Sequence, residues 1–256
     1  MNASLYTGSH RKWFEAFLKL VDDSDAQLVA ILNASSWKDV KSLLSIGGGQ
    51  GVIEASLLQS APQASIWYLD PSREQCAAFQ QHMITNGLGS RVEEISQSTF
   101  QNFNTSQSFD RILSIFSWFY IGIDQRWLTK LLDLLTPSGT AILLIPNKES
   151  IETIFYRALS PDKRMTLVGD EVVKALKKLN CVVSQDIYTK WLSHDELFED
   201  EQLSDGSLAF AAFAAERSFD TFTSEDKMKI SELIKSSQKA QGVPLSWDLI
   251  RVTQSR

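Results

Sequence analysis

The sequence predicts an α/β protein: a doubly wound, mostly parallel sheet of seven strands, with an N-terminal helix and a helical cap inserted before the last strand. Three observations predict it. Short apolar runs alternate with helical patterns between residues 41 and 146, as βαβ units require. The stretch 109–121, FDRILSIFSWFYI, is nearly all apolar, as suits a parallel strand covered on both faces. The stretch 43–54, LLSIGGGQGVIE, sets four glycines in five positions behind an apolar run, where a doubly wound sheet turns toward its ligand crevice.

Residues 11–32 place Trp13, Phe14, Phe17, Leu18, Leu20 and Val21 at roughly helical spacing, so a helix precedes the first strand. KSLLSI is that strand, and VIEASLLQSA after the glycines has helical spacing. SIWYLD (65–70) is a second strand and SREQCAAFQQHMITNG a helix closed by Asn86–Gly87. RVEEIS gives a third strand and 109–121 a fourth. QRWLTKLLDLLTPSG reads as a helix ended by Pro137 and Gly139, and TAILLIP as a fifth strand. After Pro146 the rhythm turns helical, interrupted by CVVSQDIYTKWL (181–192), a strand by its β-branched content. Further helices follow in SLAFAAFAAE and SEDKMKISELIKSSQKA, the second opening on an incomplete capping box at Ser224, and LSWDLIRVTQ is the last strand. The expected division is one domain over 1–256. It comprises a helical cap at 1–38, a ligand-binding core at 39–146, a helical, substrate-side region at 147–243 holding strand 181–192, and the last strand at 244–256.

At 256 residues and 43% hydrophobic content, the chain has enough apolar material for a large core. With 25 basic and 31 acidic side chains the net charge is -6, which argues against a nucleic-acid partner, for which a basic face is expected. Cys76 and Cys181 stand far apart and form no CxxC pair, so neither a disulfide framework nor a metal site is expected. The opening residues lack the apolar stretch of a signal peptide, and no run reaches the ~18–20 residues of a membrane span. A cytoplasmic protein with no membrane partner, monomeric or homodimeric, is the expectation.

Spacing narrows what the glycines serve. A dinucleotide fingerprint needs glycine at i, i+2 and i+5; counted from Gly47 the last is Val52, and from Gly48 the second is Gln50. A P-loop needs a terminal Gly-Lys-Ser/Thr, which is absent. What fits is G-x-G-x-G at Gly47, Gly49 and Gly51, which resembles the first motif of the class I S-adenosylmethionine-dependent methyltransferases. A tight turn is the competing reading of the triplet. Asp70 closes the second strand 19 residues after Gly51, where a carboxylate is placed to accept from both hydroxyls of a ribose. Its competing reading is a cap for the helix behind Pro71.

Within that class the chain resembles the histamine N-methyltransferase-like family. LSIGGGQG and DPSREQ follow that family's LSIGGG-x-G and EPS-x-EQ, and the likeness covers about residues 10–160. It implies the Rossmann-like methyltransferase fold, with S-adenosyl-L-methionine as cofactor and S-adenosyl-L-homocysteine as product. It implies cofactor contacts at Gly47 on the methionine side, at Asp70 on the ribose and at Gln75 near the adenosine. Ser98 would reach the adenine end, and Ile115 would touch the cofactor behind the fourth strand. The family's polar substrate anchors fall on Ala26, Phe116 and the neighbourhood of Val243–Pro244, all without the family's polar group, so histamine is not the expected substrate. Aromatic wall positions are kept at Trp13, Phe17, Phe119 and Tyr120, and Phe155 stands where the family has a tryptophan.

The expected reaction is methyl transfer to a small-molecule acceptor, an amine nitrogen first. A neutral amine needs no strong base, and aromatic faces attract a sulfonium or an ammonium by about 0.5–2 kcal/mol. The cluster FSWFY (116–120) sits where such an acceptor arrives, and Tyr120 is the residue expected to touch it. Packing competes for Phe116 and Trp118. A phenol or carboxyl acceptor would want a base; of His10, His82 and His194 only His194 falls near the expected pocket, and a plain loop residue is its ordinary reading. Asp22, Asp23 and Asp25 could meet a cationic substrate or simply end a helix. Small-molecule O-methylation, a non-catalytic cofactor-binding protein of the same fold, and an aminopropyl-transferring relative remain alternatives. A protein or RNA methyltransferase is disfavoured, for no NPPY-like tetrad follows the fourth strand.

Overall fold

The computed structural model describes residues 20, 24–33, 37–160, 167–200, 202–215, 217–218 and 221–255. In chain order the elements are α1 (Ser24–Asn33), β1 (Ser42–Ile46), α2 (Val52–Ser60), β2 (Ser65–Leu69), α3 (Arg73–Thr85), β3 (Val92–Ser96), β4 (Phe109–Ile115), α4 (Gln125–Asp133) and β5 (Leu135–Pro146). There follow α5 (Ile151–Leu159), α6 (Gly169–Leu176), β6 (Cys181–Leu192), α7 (His194–Leu197), β7 (Phe198–Glu199), β8 (Gln202–Leu203), α8 (Asp205–Ala214), α9 (Ser224–Ser237) and β9 (Val243–Gln254). Seven strands form one sheet in the order β3-β2-β1-β4-β5-β9-β6, and β7 pairs with β8 in a separate small hairpin. β3, β2, β1, β4 and β5 run parallel. The chain order reverses beside β1, so the crevice outside the strand ends at β1 and β4 is the topological switch point, where this kind of sheet binds ligands.

The described residues fall into two compact units, one within 25–145, 169–186 and 249–256, the other within 1–24, 146–168 and 187–248. The first holds the glycine loop. Its core is built on Leu43, Leu44, Ile66, Ile112 and Leu113 from the strands, with Leu57, Phe79, Leu128 and Leu131 from the helices, all fully buried. Each such side chain contributes about 1.5–3 kcal/mol of burial. In the second unit α5 packs on α8 and α9. Helix α8, DGSLAFAAFA, is buried from Ser207 to Ala212, as a helix apolar all round must be. Helix α9 opens with Thr223 as its N-cap, in a complete capping box with Asp226 rather than at Ser224.

Two predicted elements end elsewhere. The fourth strand stops at Ile115, because Phe116 takes a left-handed φ of 54°. Trp118–Tyr120 is then a single 3-10 turn, so the aromatic cluster does not alternate across a sheet. The helix at 125 stops at Asp133, and Leu135 already pairs with Phe109 in β5. Pro137 and Gly139 belong to a bulge inside that strand, between the pairs Phe109–Leu135 and Arg111–Thr140. A Cβ at Gly139 would lie 2.6 Å from the Phe109 carbonyl oxygen, so the bulge requires glycine there.

Candidate active site

The crevice begins where β1 ends. Gly47, Gly49 and Gly51 all have left-handed φ, at 66°, 57° and 80°, a conformation costly for any residue with a Cβ. Space demands glycine too: a Cβ at Gly47 would lie 2.6 Å from that of Ser117, and one at Gly51 2.5 Å from the Phe79 ring. The amide of Gly47 donates to Leu69 at 2.8 Å, carrying the β1–β2 ladder into the loop. Ser117 Oγ donates to the Ile46 carbonyl at 2.5 Å and is itself 2.6 Å from Ser114 Oγ, so the turn behind β4 is tied to the end of β1. Under the loop Glu54, 1% exposed, accepts from Ser45 Oγ at 2.7 Å.

Asp70 stands one strand over, at the end of β2, and is buried. Its Oδ1 accepts from the Ser72 amide at 2.7 Å; its Oδ2 has a long contact, 3.3 Å, with the Tyr68 hydroxyl. The cap of α3 is Ser72, whose Oγ accepts from Gln75 N at 3.3 Å. Asp70 therefore braces the turn without capping the helix, and Oδ2 keeps capacity for a further donor. Burial raises its pKa, opposed by the hydrogen bonds from Ser72 and Tyr68.

The predicted cofactor residues converge unequally. Gln75 Oε1 is buried with no hydrogen-bond partner among the described residues and would lie 3.9 Å from a Cβ on Gly49. It is an acceptor turned toward the loop and left for something else to satisfy. Ser98 follows β3, half-buried, with its hydroxyl donating to Thr99. Ile115 is the buried last residue of β4. Phe119 and Tyr120 are half-buried, rings 4.4 Å apart and tilted by 48°, while Phe116 is more exposed. Trp118 is fully buried beside Phe100, and its indole N–H has no partner among the described residues.

Other candidates sit elsewhere. Phe155 is fully buried in the second unit, its ring edge-on to Phe210 at 5.5 Å, which gives it a packing role there. His194 is exposed at the start of α7, its ring stacked on Phe198 at 4.7 Å. Trp13, Phe17, Asp22 and Asp23 lie outside the described residues. Sequence reasoning missed Tyr68, Glu54, Ser117 and Glu152. The last, in the second unit, accepts from Trp247 Nε1 at 3.2 Å, and burial pushes its carboxyl up to about 7. Only the polar Ser45 and Glu54, out of place in apolar runs, signalled the buried pair. Among the described residues no cluster of metal-ligating side chains occurs, and no helix is long and apolar enough to cross a membrane.

The class this geometry defines is the Rossmann-like methyltransferase fold. Residues 43–139 match the model of a family described as Methyltransferase domain. A curated relative, the release factor glutamine methyltransferase of Flavobacterium psychrophilum, is 26% identical over 173 residues, covering 61% of this chain and 58% of the relative. The chain thus spans well under two thirds of that relative's length. Among solved structures, the O-methyltransferase of a trans-AT PKS multienzyme of Brevibacillus brevis, in complex with S-adenosyl-L-homocysteine, aligns with a TM-score of 0.56 at 14% identity, covering 99% of this chain and 80% of the other. The N-methyltransferase NodS of Bradyrhizobium japonicum aligns with a TM-score of 0.54 at 13% identity, covering 93% and 98%. Identities this low establish the fold. These relatives support the wider class and give no support to the histamine N-methyltransferase-like subdivision.

Proposed function

We propose that the protein is an S-adenosylmethionine-dependent methyltransferase acting on a small-molecule acceptor, with an amine nitrogen as the methylated atom. One observation carries the reading: three left-handed glycines leave the backbone bare beside a buried carboxylate at the end of the next strand. The residues fit the cofactor. Asp70 Oδ2 would accept a hydrogen bond from a ribose hydroxyl, the Gln75 carbonyl would accept one from the adenosine, and the bare loop would admit the sulfonium chain. Ser98 and Ile115 border the adenine side, as the resemblance implies.

The cofactor supplies an electrophilic methyl group; the protein binds, aligns and keeps water out. The half-buried pair Phe119–Tyr120, two and three residues behind the Ser117 knot, offers π-faces to a cationic acceptor. Tyr120 is assigned the acceptor contact. The test is incubation with radiolabelled cofactor and a panel of amines, phenols and carboxylic acids. Label should pass to at least one amine, and Tyr120→Ala should lower kcat/KM about tenfold or more for it. Tight cofactor binding without transfer to any acceptor would overturn the catalytic reading and leave a binding protein; transfer to phenols alone would move the methylated atom to oxygen.

A further inference from the structure

We infer that Tyr68 is a positioning residue which, through one hydroxyl, locks the peptide at Gly49 and steadies the carboxylate of Asp70, so that loop and acid meet the cofactor in one geometry. The inference rests on the cofactor reading above. Tyrosine is an odd choice at the buried penultimate residue of a short parallel strand. Tyr68 is 1% exposed, and a hydroxyl buried there without a partner destabilises the fold. Its partner is the Gly49 carbonyl, at 2.8 Å, a length typical of an O–H···O hydrogen bond. Gly49 is left-handed and sits in a turn closed by Gly51 N donating to Gly48 O at 3.0 Å; that bond closes the turn's ends, and the Tyr68 hydroxyl holds the carbonyl of its central peptide.

The same oxygen lies 3.3 Å from Asp70 Oδ2. One proton serves two acceptors, and the distances assign it mainly to Gly49, leaving Oδ2 oriented yet able to accept from a ligand. The ring completes the brace. Tyr68 stacks on Phe79 with centroids 3.9 Å apart and planes 20° apart, and Phe79 fills the place where Gly51 would carry a Cβ. One side chain thus touches both the middle of the loop and the strand-end acid, and through Phe79 it backs the loop's last glycine.

Tyr68→Phe keeps the ring stack and removes the oxygen. Calorimetric titration with S-adenosyl-L-homocysteine should show affinity about tenfold weaker than wild type, and amide exchange across 47–51 should quicken. Ile142→Val, a comparable loss of buried contact on β5 away from the loop, should leave affinity within twofold and that exchange unchanged. A Tyr68→Phe protein that binds within twofold of wild type, or an Ile142→Val protein that weakens equally, overturns the inference while leaving the cofactor reading intact. If Tyr68→Phe lowers the yield of folded protein, the exchange measurement on the folded fraction still decides, since unchanged rates at 47–51 overturn the lock. Wild-type protein that takes up none of the ligand overturns the cofactor reading, and the inference with it.

Discussion

Asp70 shows how one residue is set between stability and binding. Its carboxylate is buried at the end of β2, and burial lifts its pKa above the ordinary value, so the ionised form is disfavoured in the fold relative to the unfolded chain. A raised carboxyl pKa contributes stability that is present below the unfolded value near 3.8 and is lost as pH rises through the folded value. At neutral pH the ionised acid is therefore a cost to the ligand-free fold, and Asp70→Asn should raise the thermal midpoint or leave it unchanged. The same change removes a charged acceptor from the ribose. Hydrogen bonds to charged groups contribute about 1.5–3 kcal/mol, so S-adenosyl-L-homocysteine should bind about 10–100-fold more weakly. Wild-type binding should also weaken on acidification as Asp70 takes up its proton, and the variant's binding should not share that dependence. Calorimetry across pH checks both. A variant that loses stability yet binds as before would show that Asp70 is a structural brace only. The sequence exposed Asp70 and the glycines because both serve local rules, a strand-end acid and a left-handed turn. It hid Tyr68, which reads as one more apolar strand residue until its hydroxyl is seen against Gly49.

At the scale of elements, most of the alternation from β1 to β5 could be read from apolar runs and turn residues, and strand 181–192 stands where its β-branched content puts it. The two misplaced ends have one cause: tertiary hydrogen bonds overrode local composition. FSWFY is apolar enough to continue a strand, but Ser114 and Ser117, three apart, close a turn onto Ile46 instead. LLTPSG has the marks of a helix stop, yet Leu135 gains a ladder partner in Phe109, and Pro137 and Gly139 are absorbed as a bulge. A third tertiary element was equally silent. Arg91, in the 3-10 turn before β3, donates from Nε to Ala64 and from Nη1 to Leu58, each at 2.7 Å, and from Nη2 to Ala61. One guanidinium thus adds a second donor to the Leu58 and Ala61 carbonyls, which already accept from Ala61 N and Ala64 N, and also reaches Ala64, a cation at a helix C-terminus where the dipole favours it. Arg91→Met keeps the apolar stem and removes the fork. It should cost about 2–3 kcal/mol, from several charge-assisted bonds partly replaced by water, read as a lower urea midpoint at unchanged m. A change under about 0.5 kcal/mol would make the fork ornamental.

For the whole molecule, the chain divides into two compact units, and the proposed cofactor contacts draw on one of them. The glycine loop, Tyr68, Asp70 and Gln75 all belong to the first unit, as does the Phe119–Tyr120 pair. The second unit contributes a buried helical core and a carboxyl, Glu152, whose charge changes near neutrality. A ligand that binds only the native state stabilises it by RT ln(1 + [L]/Kd), about 2.7 kcal/mol at a hundredfold excess over Kd. For a chain of this size that corresponds to a rise in Tm of roughly 5–10 °C. If the cofactor contacts are those assigned here, the stabilisation originates in the first unit. Amide exchange with and without S-adenosyl-L-homocysteine should then slow most across 43–54, 68–75 and 114–120, and much less along 205–214 and 224–237. The pattern follows from local opening, since a ligand suppresses only those openings that break its own contacts. Protection spread evenly over both units would mean that they open together as one cooperative body, with the first unit no longer the separate seat of binding. Protection centred on 205–237 would place the ligand outside the crevice at the end of β1 and remove the basis for every role assigned to the glycine loop.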